Sequence, residues 1–361
     1  MSRRTPESDK QGVTGMSEFR IDHQDLEQFV EKVFVEAGLS EEDARVEAEV
    51  LVWANLRGID SHGVLRIPSY LDSIESGAMN IRPNIQVLKE TPAVLFVDAD
   101  RAMGPVVTTD IMNRVIAKAK SVGIGWGLLR KNTHQGAMGY YSEMAAKEGL
   151  AGIAIVCSPP NMAPFGARAA GLHNSPIAIS VPAGKRPPVT LDMATSVAAG
   201  GKLTLAADKG IPLGDDWALD ESGNPTTDPE AAKVLVAAGG PKGSGLAFMF
   251  QCLTSLMAAN PLVAPVLQGA KRLHSQNSVV AAVDVSLFTD VSEYGRNVDT
   301  LIDCLKDLPT SEGHSEVLYP GEPELRTDKD RRENGIPLPP GTVQKIRDTA
   351  SRLKIELPQG L

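Results

Sequence analysis

The chain has 361 residues, 42% of them hydrophobic, with 36 basic and 45 acidic residues and a formal net charge of -9. That length suits two or three domains around a large core. Aromatics make up 4% and no basic tract is interleaved with them, which disfavours nucleic acid and anionic membrane as partners.

Taken in order, residues 1–17 are rich in Ser, Gly and charge and lack the apolar segment of a signal peptide. They read as a disordered leader. Leu26, Phe29, Val30, Val33 and Phe34 then recur at helical spacing up to Gly38. Ser40-Glu-Glu-Asp43 is a capped start for a second helix reaching Leu56, with Gly58 as its stop. Between this helix and the next lies Arg57-Gly-Ile-Asp-Ser-His-Gly-Val-Leu-Arg66. Val64, Leu65, Ile67, Tyr70, Leu71 and Ile74 carry the third helical pattern to Ser76-Gly77, and Pro68 is tolerated in its first turn.

From Ala93 the pattern changes to strands at 94–97 and 123–129, separated by a helix at 104–119. The turn Lys131-Asn-Thr-His-Gln-Gly136 leads into a helix over 137–147. Strands follow at 151–157, 177–181 and 189–192, the first two separated by the irregular loop 158–166. These strands leave no room for crossover helices, so they are antiparallel neighbours rather than βαβ units. No GxGxxG occurs, which disfavours a Rossmann dinucleotide fold. The stretch 217–229 is turn-rich and wraps the surface. Gly239-Gly-Pro-Lys-Gly-Ser-Gly245 opens an apolar helix over 246–257, and a strand at 279–287 and a helix at 291–308 complete the regular elements. The cysteines, Cys157, Cys252 and Cys304, are odd in number and outside any CxxC pattern. That indicates a reducing, cytoplasmic compartment and no structural metal site. No apolar run reaches the length of a membrane span.

Several of these stretches can carry chemistry. Ser61 near a helix N-terminus suits an anion, and if the helix begins this early His62 and Arg66 share one face. Arg grips a carboxylate with two prongs and His exchanges protons near neutral pH. The plain alternative is a capping Ser, a turn His and a surface Arg. His134, preceded by a capping-type Thr133, sits where a helix dipole lowers an imidazole pKa, which suits a proton acceptor; otherwise it is part of the cap. Asp192 at a strand end either orients a histidine or hydroxyl or caps the next helix. Lys242 in its Gly-rich turn either holds a cofactor phosphate or merely lies in a flexible turn. His23, His173, His274 and His314 fall in no motif and read as ordinary polar positions.

Taken together, Gly58-Ile-Asp-Ser-His-Gly63 with Arg66, Thr133-His-Gln-Gly136, Pro164-Phe-Gly166, Leu191-Asp-Met-Ala-Thr195 and Trp217-Ala-Leu-Asp220 resemble one family. Pro225-Thr-Thr-Asp228-Pro229, Gly240-Pro-Lys-Gly243, Pro320-Gly-Glu322 and Gly335-Ile-Pro337 extend the match over about residues 20 to 345. The family is that of the malate/L-lactate dehydrogenase-like oxidoreductases of the non-Rossmann type. It includes ureidoglycolate, sulfolactate and diketogulonate dehydrogenases and the piperideine- and pyrroline-2-carboxylate reductases.

The resemblance implies an α/β (α+β) chain with a non-Rossmann cofactor domain, built on a mostly antiparallel mixed sheet, and a helical domain made from both chain ends. The boundaries are 18–90 with 309–361 for the helical substrate and dimer domain. The NAD(P)-binding domain spans 91–308, with a helical subdomain around 196–275. It also implies an intertwined homodimer and NAD as cofactor, with NADP the alternative. The reaction implied is interconversion, without metal, of a small 2-hydroxy acid and its 2-oxo acid. At matching positions His134 is the proton acceptor, and Ser61, His62 and Arg66 bind substrate. In imine-reducing members the match to His62, helped by the match to Asp192, donates the proton. Ser158, Asp192, Met193, Ala194, Lys242, Gly321 and Glu322 match cofactor contacts. One departure concerns substrate choice: many members have Thr-Asn-Pro after a glycine, and this chain has His173-Asn-Ser-Pro176. Two competing readings remain, a cyclic-imine 2-carboxylate reductase and a catalytically idle dimeric binding protein on the same fold.

Overall fold

The computed structural model describes residues 19–272, 275–358 and 361. The leader 1–17 and His274 lie outside them.

Three helices form the N-terminal layer: α1 (His23–Glu36), α2 (Glu41–Leu56) and α3 (Ile67–Glu75). Ser40 caps α2 by accepting the Asp43 N–H at 3.1 Å, the role its sequence position suggested. The apolar faces of α1 to α3 pack with Ile336, Leu338, Val343 and Ile346 from near the C-terminus in one buried cluster. Strand Phe19–Ile21 pairs antiparallel with Ile336–Leu338 and closes that layer. Both chain ends therefore share one core, which the spacing of apolar residues alone did not reveal.

The central sheet has seven strands, in the order Gln86–Glu90, Val94–Asp98, Ile124–Asn132, Gln276–Asp284, Leu150–Cys157, Ile177–Val181 and Val189–Met193. Only Val94–Asp98 and Ile124–Asn132 run parallel, joined through α4 (Gly104–Val122); every other neighbouring pair is antiparallel. One face is covered by α4 and α5 (Gly139–Lys147), where Ile111, Val115 and Tyr141 pack on Val97, Leu129, Ala154 and Val280. Each of the buried Ile, Val and Leu side chains contributes about 1.5–3 kcal/mol.

Further along lie α6 (Gly200–Lys209) and α7 (Pro241–Gln251), the latter continuing as a π-turn over Cys252–Leu256. Residues 217–229 are more than surface turn: Ala218–Leu219 and Pro225–Thr226 join Val234–Val236 and Met162–Ala163 in a small four-stranded sheet.

Candidate active site

The loop after α2 begins from a single buried side chain. Asn55, 2% exposed, donates to Asp60 Oδ1 at 2.7 Å and accepts the Val64 N–H at 2.8 Å. Gly63 lies so close to it that an added Cβ would meet Asn55 Oδ1 at 2.1 Å, so no larger residue fits. From the C-terminal region Arg331 grips Asp60 with two prongs, at 2.6 and 3.0 Å. These contacts fold the segment into two 3₁₀ turns, Asp60–His62 and Val64–Arg66, ahead of α3. The expectation that His62 and Arg66 share one α-helical face is therefore corrected: Gly63 interrupts the helix between them. Arg66 instead turns back and donates Nε–H to the Ser61 carbonyl at 2.7 Å. Its two terminal nitrogens are left without a carboxylate partner among the described residues.

The second loop, 133–138, joins strand Ile124–Asn132 to α5. Thr133 does not cap the helix; its hydroxyl donates to the Ala102 carbonyl at 2.7 Å. Gln135 is held by Thr108 at 3.0 Å and its carbonyl by the Tyr141 hydroxyl at 2.5 Å. The cap of α5 comes from another strand: Asp192 Oδ2 accepts the Gly139 N–H at 2.7 Å. Asp192 is thus a cap for an earlier helix, not for the one that follows it.

These two loops bring His62 and His134 together, their rings stacked with centroids 5.4 Å apart and 23° between planes. Ser61 Oγ lies 2.9 Å from His62 Nδ1. The Tyr70 hydroxyl lies 2.6 Å from His134 Nδ1, and the Gly136 N–H points at the same nitrogen at 3.3 Å. Burial holds the Tyr70 phenol well above its ordinary pKa, so it stays protonated. With two donors on Nδ1, neutral His134 carries its proton on Nε2. Burial pushes the His134 pKa well down, and the charges of Arg66, His62 and His173 add to this. The same causes, burial first and then Arg66, bring His62 to about 4. Both imidazoles are neutral near pH 7, through burial and neighbouring cations rather than a helix dipole. Asp192 faces the open cleft, yet the surrounding walls limit its hydration and raise it to about 6, against the Gly139 N–H, which lowers it.

Ser61, His62, Arg66, His134, Ser158, Asp192, Met193, Ala194 and Gly321 all line one cleft of about 1440 Å³. Lys242 and Glu322 are not among its lining residues. Lys242 is exposed on the first turn of α7. The Glu322 carboxylate is taken up by Lys306 at 2.7 and 2.9 Å and by Arg326 at 2.6 Å. In their place the start of α6, Gly200-Gly-Lys202, forms part of the wall. Gly201 sits against Ser61, where an added Cβ would meet Ser61 Cβ at 2.3 Å. Tyr70, His173 and Arg272 also line the cleft. Tyr70 looked like one more apolar position of α3, His173 opens the stretch that departs from the family's Thr-Asn-Pro, and Arg272 belongs to no motif.

The sequence model of the malate/L-lactate dehydrogenase family matches residues 21–347. A malate/(S)-sulfolactate dehydrogenase from Methanothermus fervidus is 36% identical over 336 residues, 90% of this chain and 96% of that protein. An L-sulfolactate dehydrogenase from Methanocaldococcus jannaschii is 36% identical over 325 residues, 89% of this chain and 93% of that one. The crystal structure of malate dehydrogenase from Entamoeba histolytica superposes with a TM-score of 0.89 at 27% identity, covering 95% of this chain and all of that one.

Proposed function

We propose, from the premise that this chain belongs to the malate/L-lactate dehydrogenase family, that it interconverts a small 2-hydroxy acid and its 2-oxo acid with NAD. The observation that carries this reading is Arg66, free of any carboxylate among the described residues, in one cleft with two neutral imidazoles stacked at 5.4 Å. A bound nicotinamide cofactor supplies the hydride exchange. The cleft suits such a group: its volume of about 1440 Å³ exceeds what a small acid needs. The first turn of α6 adds free N–H groups, with Lys202 beside them, where phosphates would lie. In this reading Ser158, Met193 and Ala194 contact the cofactor, and NADP is the alternative.

The chain's own groups divide the remaining work. With Nε held by Ser61, the Arg66 terminal nitrogens form a planar fork for the substrate carboxylate. That fixes the carbon next to it against the imidazoles. In reduction, His134 first takes up a second proton from solvent, and its Nε2–H then donates to the oxo oxygen and passes to it as negative charge builds there, which leaves the ring's proton on Nδ1. In oxidation, the imidazole proton moves to Nδ1, Tyr70 becomes the acceptor of that bond, and Nε2 takes the hydroxyl proton. Ser61 and His62 complete the substrate wall. Among the described residues His62 is bonded to Ser61 and not to Asp192, so the geometry supports His134 over the His62–Asp192 pair of a cyclic-imine reductase.

The same reading includes a cytoplasmic homodimer. Phe248, Met249, Leu256 and Met257 are more than half exposed along α7 and its π-turn, an apolar face that a second copy would cover. The test of function is nicotinamide absorbance over a panel of 2-oxo acids with both reduced cofactors. Turnover of at least one acid, lost by about 2–4 kcal/mol of transition-state stabilisation in Arg66→Ala, is expected. Silence over the whole panel, or an Arg66→Ala enzyme of unchanged kcat/KM, contradicts the reading.

A further inference from the structure

The side-chain amides on the cleft wall differ in how fully they are used. Asn161 donates to Asn174 Oδ1 at 3.1 Å and accepts the Asn174 N–H at 2.8 Å, and the Asn174 NH2 donates to Ser196 Oγ at 3.4 Å. Gln135 donates Nε2–H to Gln276 Oε1 at 3.2 Å. Gln276 is the exception. It is half-buried and lines the cleft, and its own NH2 has no acceptor among the described residues.

A buried cascade sets the sense of that amide. It begins at a backbone group that can only donate: the Thr133 N–H reaches Asn132 Oδ1 at 2.8 Å. The Asn132 amide is thereby oriented, and its Nδ2–H donates to Thr108 Oγ1 at 3.1 Å. Thr108 gives its one proton to Gln135 Oε1 at 3.0 Å, which turns Gln135 Nε2 towards Gln276 Oε1. Asn132, Thr108 and Gln135 are at most 1% exposed, so water does not compete for these bonds. Gln276 therefore receives its bond on oxygen and keeps its N–H groups for a ligand. A few fixed donors of this kind are what orient a molecule in a cleft.

The place of Gln276 in the sheet indicates which group it meets. It opens strand Gln276–Asp284 opposite Asn132, and its neighbour Asn277 stands opposite Cys157. Strand Ile124–Asn132 leads to His134, and strand Leu150–Cys157 leads to Ser158. Gln276 thus lies between the loop that handles the proton and a cofactor contact of the reading above. A ring that exchanges hydride with a carbon beside His134 belongs at this end of the cleft. The nicotinamide ring carries an uncharged carboxamide, whose oxygen suits a neutral donor, whereas the substrate carboxylate goes to Arg66.

Resting on the function proposed above, we infer that Gln276 is a cofactor-binding residue that donates Nε2–H to the nicotinamide carboxamide oxygen. Asn132, Thr108 and Gln135 are the positioning residues that hold its amide in that sense. An uncharged oxygen of the acid shares this acceptor chemistry, and the experiment separates the two sources.

The experiment titrates the protein calorimetrically at pH 8 with NADH and with its thionicotinamide analogue, in which sulfur, a weak acceptor, replaces that oxygen. No turnover is needed. The proteins are the wild type, Gln276→Glu, Thr108→Val and Thr108→Ser, and the KM of the 2-oxo acid is measured alongside. Gln276→Glu still offers Gln135 an oxygen but has no N–H, and its charge acts on both nucleotides alike. The wild type should bind NADH about 3- to 10-fold tighter than the analogue, the range of one neutral hydrogen bond. Gln276→Glu and Thr108→Val should bring the two Kd values together, and Thr108→Ser, which keeps the hydroxyl, should restore the difference. A purely structural role would weaken both nucleotides equally and leave their ratio in place. A ratio that either Gln276→Glu or Thr108→Val leaves in place, or a wild type without preference, overturns this inference alone. So does a loss confined to the KM of the acid, which would give Gln276 to the substrate. A wild type that binds neither nucleotide removes the underlying function as well.

Discussion

Tyr70 and His134 share a hydrogen bond of 2.6 Å that decides which imidazole nitrogen is left for the cleft. The Gly136 N–H reaches the same Nδ1 at 3.3 Å, so Nε2 carries the proton. Tyr70 comes from α3 and His134 from the loop after strand Ile124–Asn132, 64 positions apart in the chain. The bond therefore also registers α3 against the strand-to-helix turn.

Removing only that hydroxyl tests its role. Tyr70 is 2% exposed, and Tyr70→Phe keeps the buried ring in place. We expect kcat to fall roughly tenfold, on the scale of one hydrogen bond to a reacting group, with a smaller change in the KM of the oxo acid. Steady-state kinetics across pH check this. An unchanged kcat would mean that Tyr70 is packing alone.

Asp192 should set the acidic limb of activity. Its carboxyl, raised to about 6 chiefly because the cleft walls limit its hydration, is ionised above that pH and caps the helix that follows the His134 loop. Protonation weakens the cap and loosens that loop. We expect kcat/KM to decline as pH falls through about 6, and Asp192→Asn to lose the limb while lowering activity at pH 8. A limb that persists in Asp192→Asn assigns it to another group.

Glu47 lowers stability where it stands. It is fully buried, both carboxylate oxygens lack a partner among the described residues, and burial raises its pKa well above the usual range. The folded protein thus keeps a proton that the unfolded chain releases above its own, lower pKa. Native protein binds more protons across that window, so stability falls as pH rises through it. Glu47→Met should stabilise by about 1–3 kcal/mol at pH 8 and by less at pH 5. Thermal melts at the two pH values decide; a stabilisation equal at both would contradict the sign.

How much of this could be read from the residues depends on what kind of signal each element carries. The helices α1 and α3 showed themselves by apolar spacing, α2 by its capped start, and the run of short strands between 150 and 193 by its lack of room for helices. Gln86–Glu90 gave no alternation because it is an edge strand exposed at every position. Helix Glu322–Asn334 has only Glu322 buried and is tied down by ion pairs, such as Arg331 to Asp60, that leave no apolar stripe. The Ser61–Arg66 cluster was legible as chemistry but not as shape, since the control of Asn55 over Gly63 is a tertiary contact. Tyr70 was hidden because a buried tyrosine at helical spacing looks like core until its hydroxyl partner is known. His173 and Arg272, about a hundred positions apart, come to one cleft only through the fold.

The central claim is that His134 handles the proton while Arg66 holds the acid. Parallel His134→Ala and His62→Ala enzymes, assayed for nicotinamide oxidation on the best 2-oxo acid, test it most directly. The account predicts that His134→Ala loses at least about 100-fold in kcat, the scale of a removed acid–base group, while His62→Ala retains turnover with a raised KM. Loss of turnover in His62→Ala alone, with His134→Ala active on every 2-oxo acid, would contradict it.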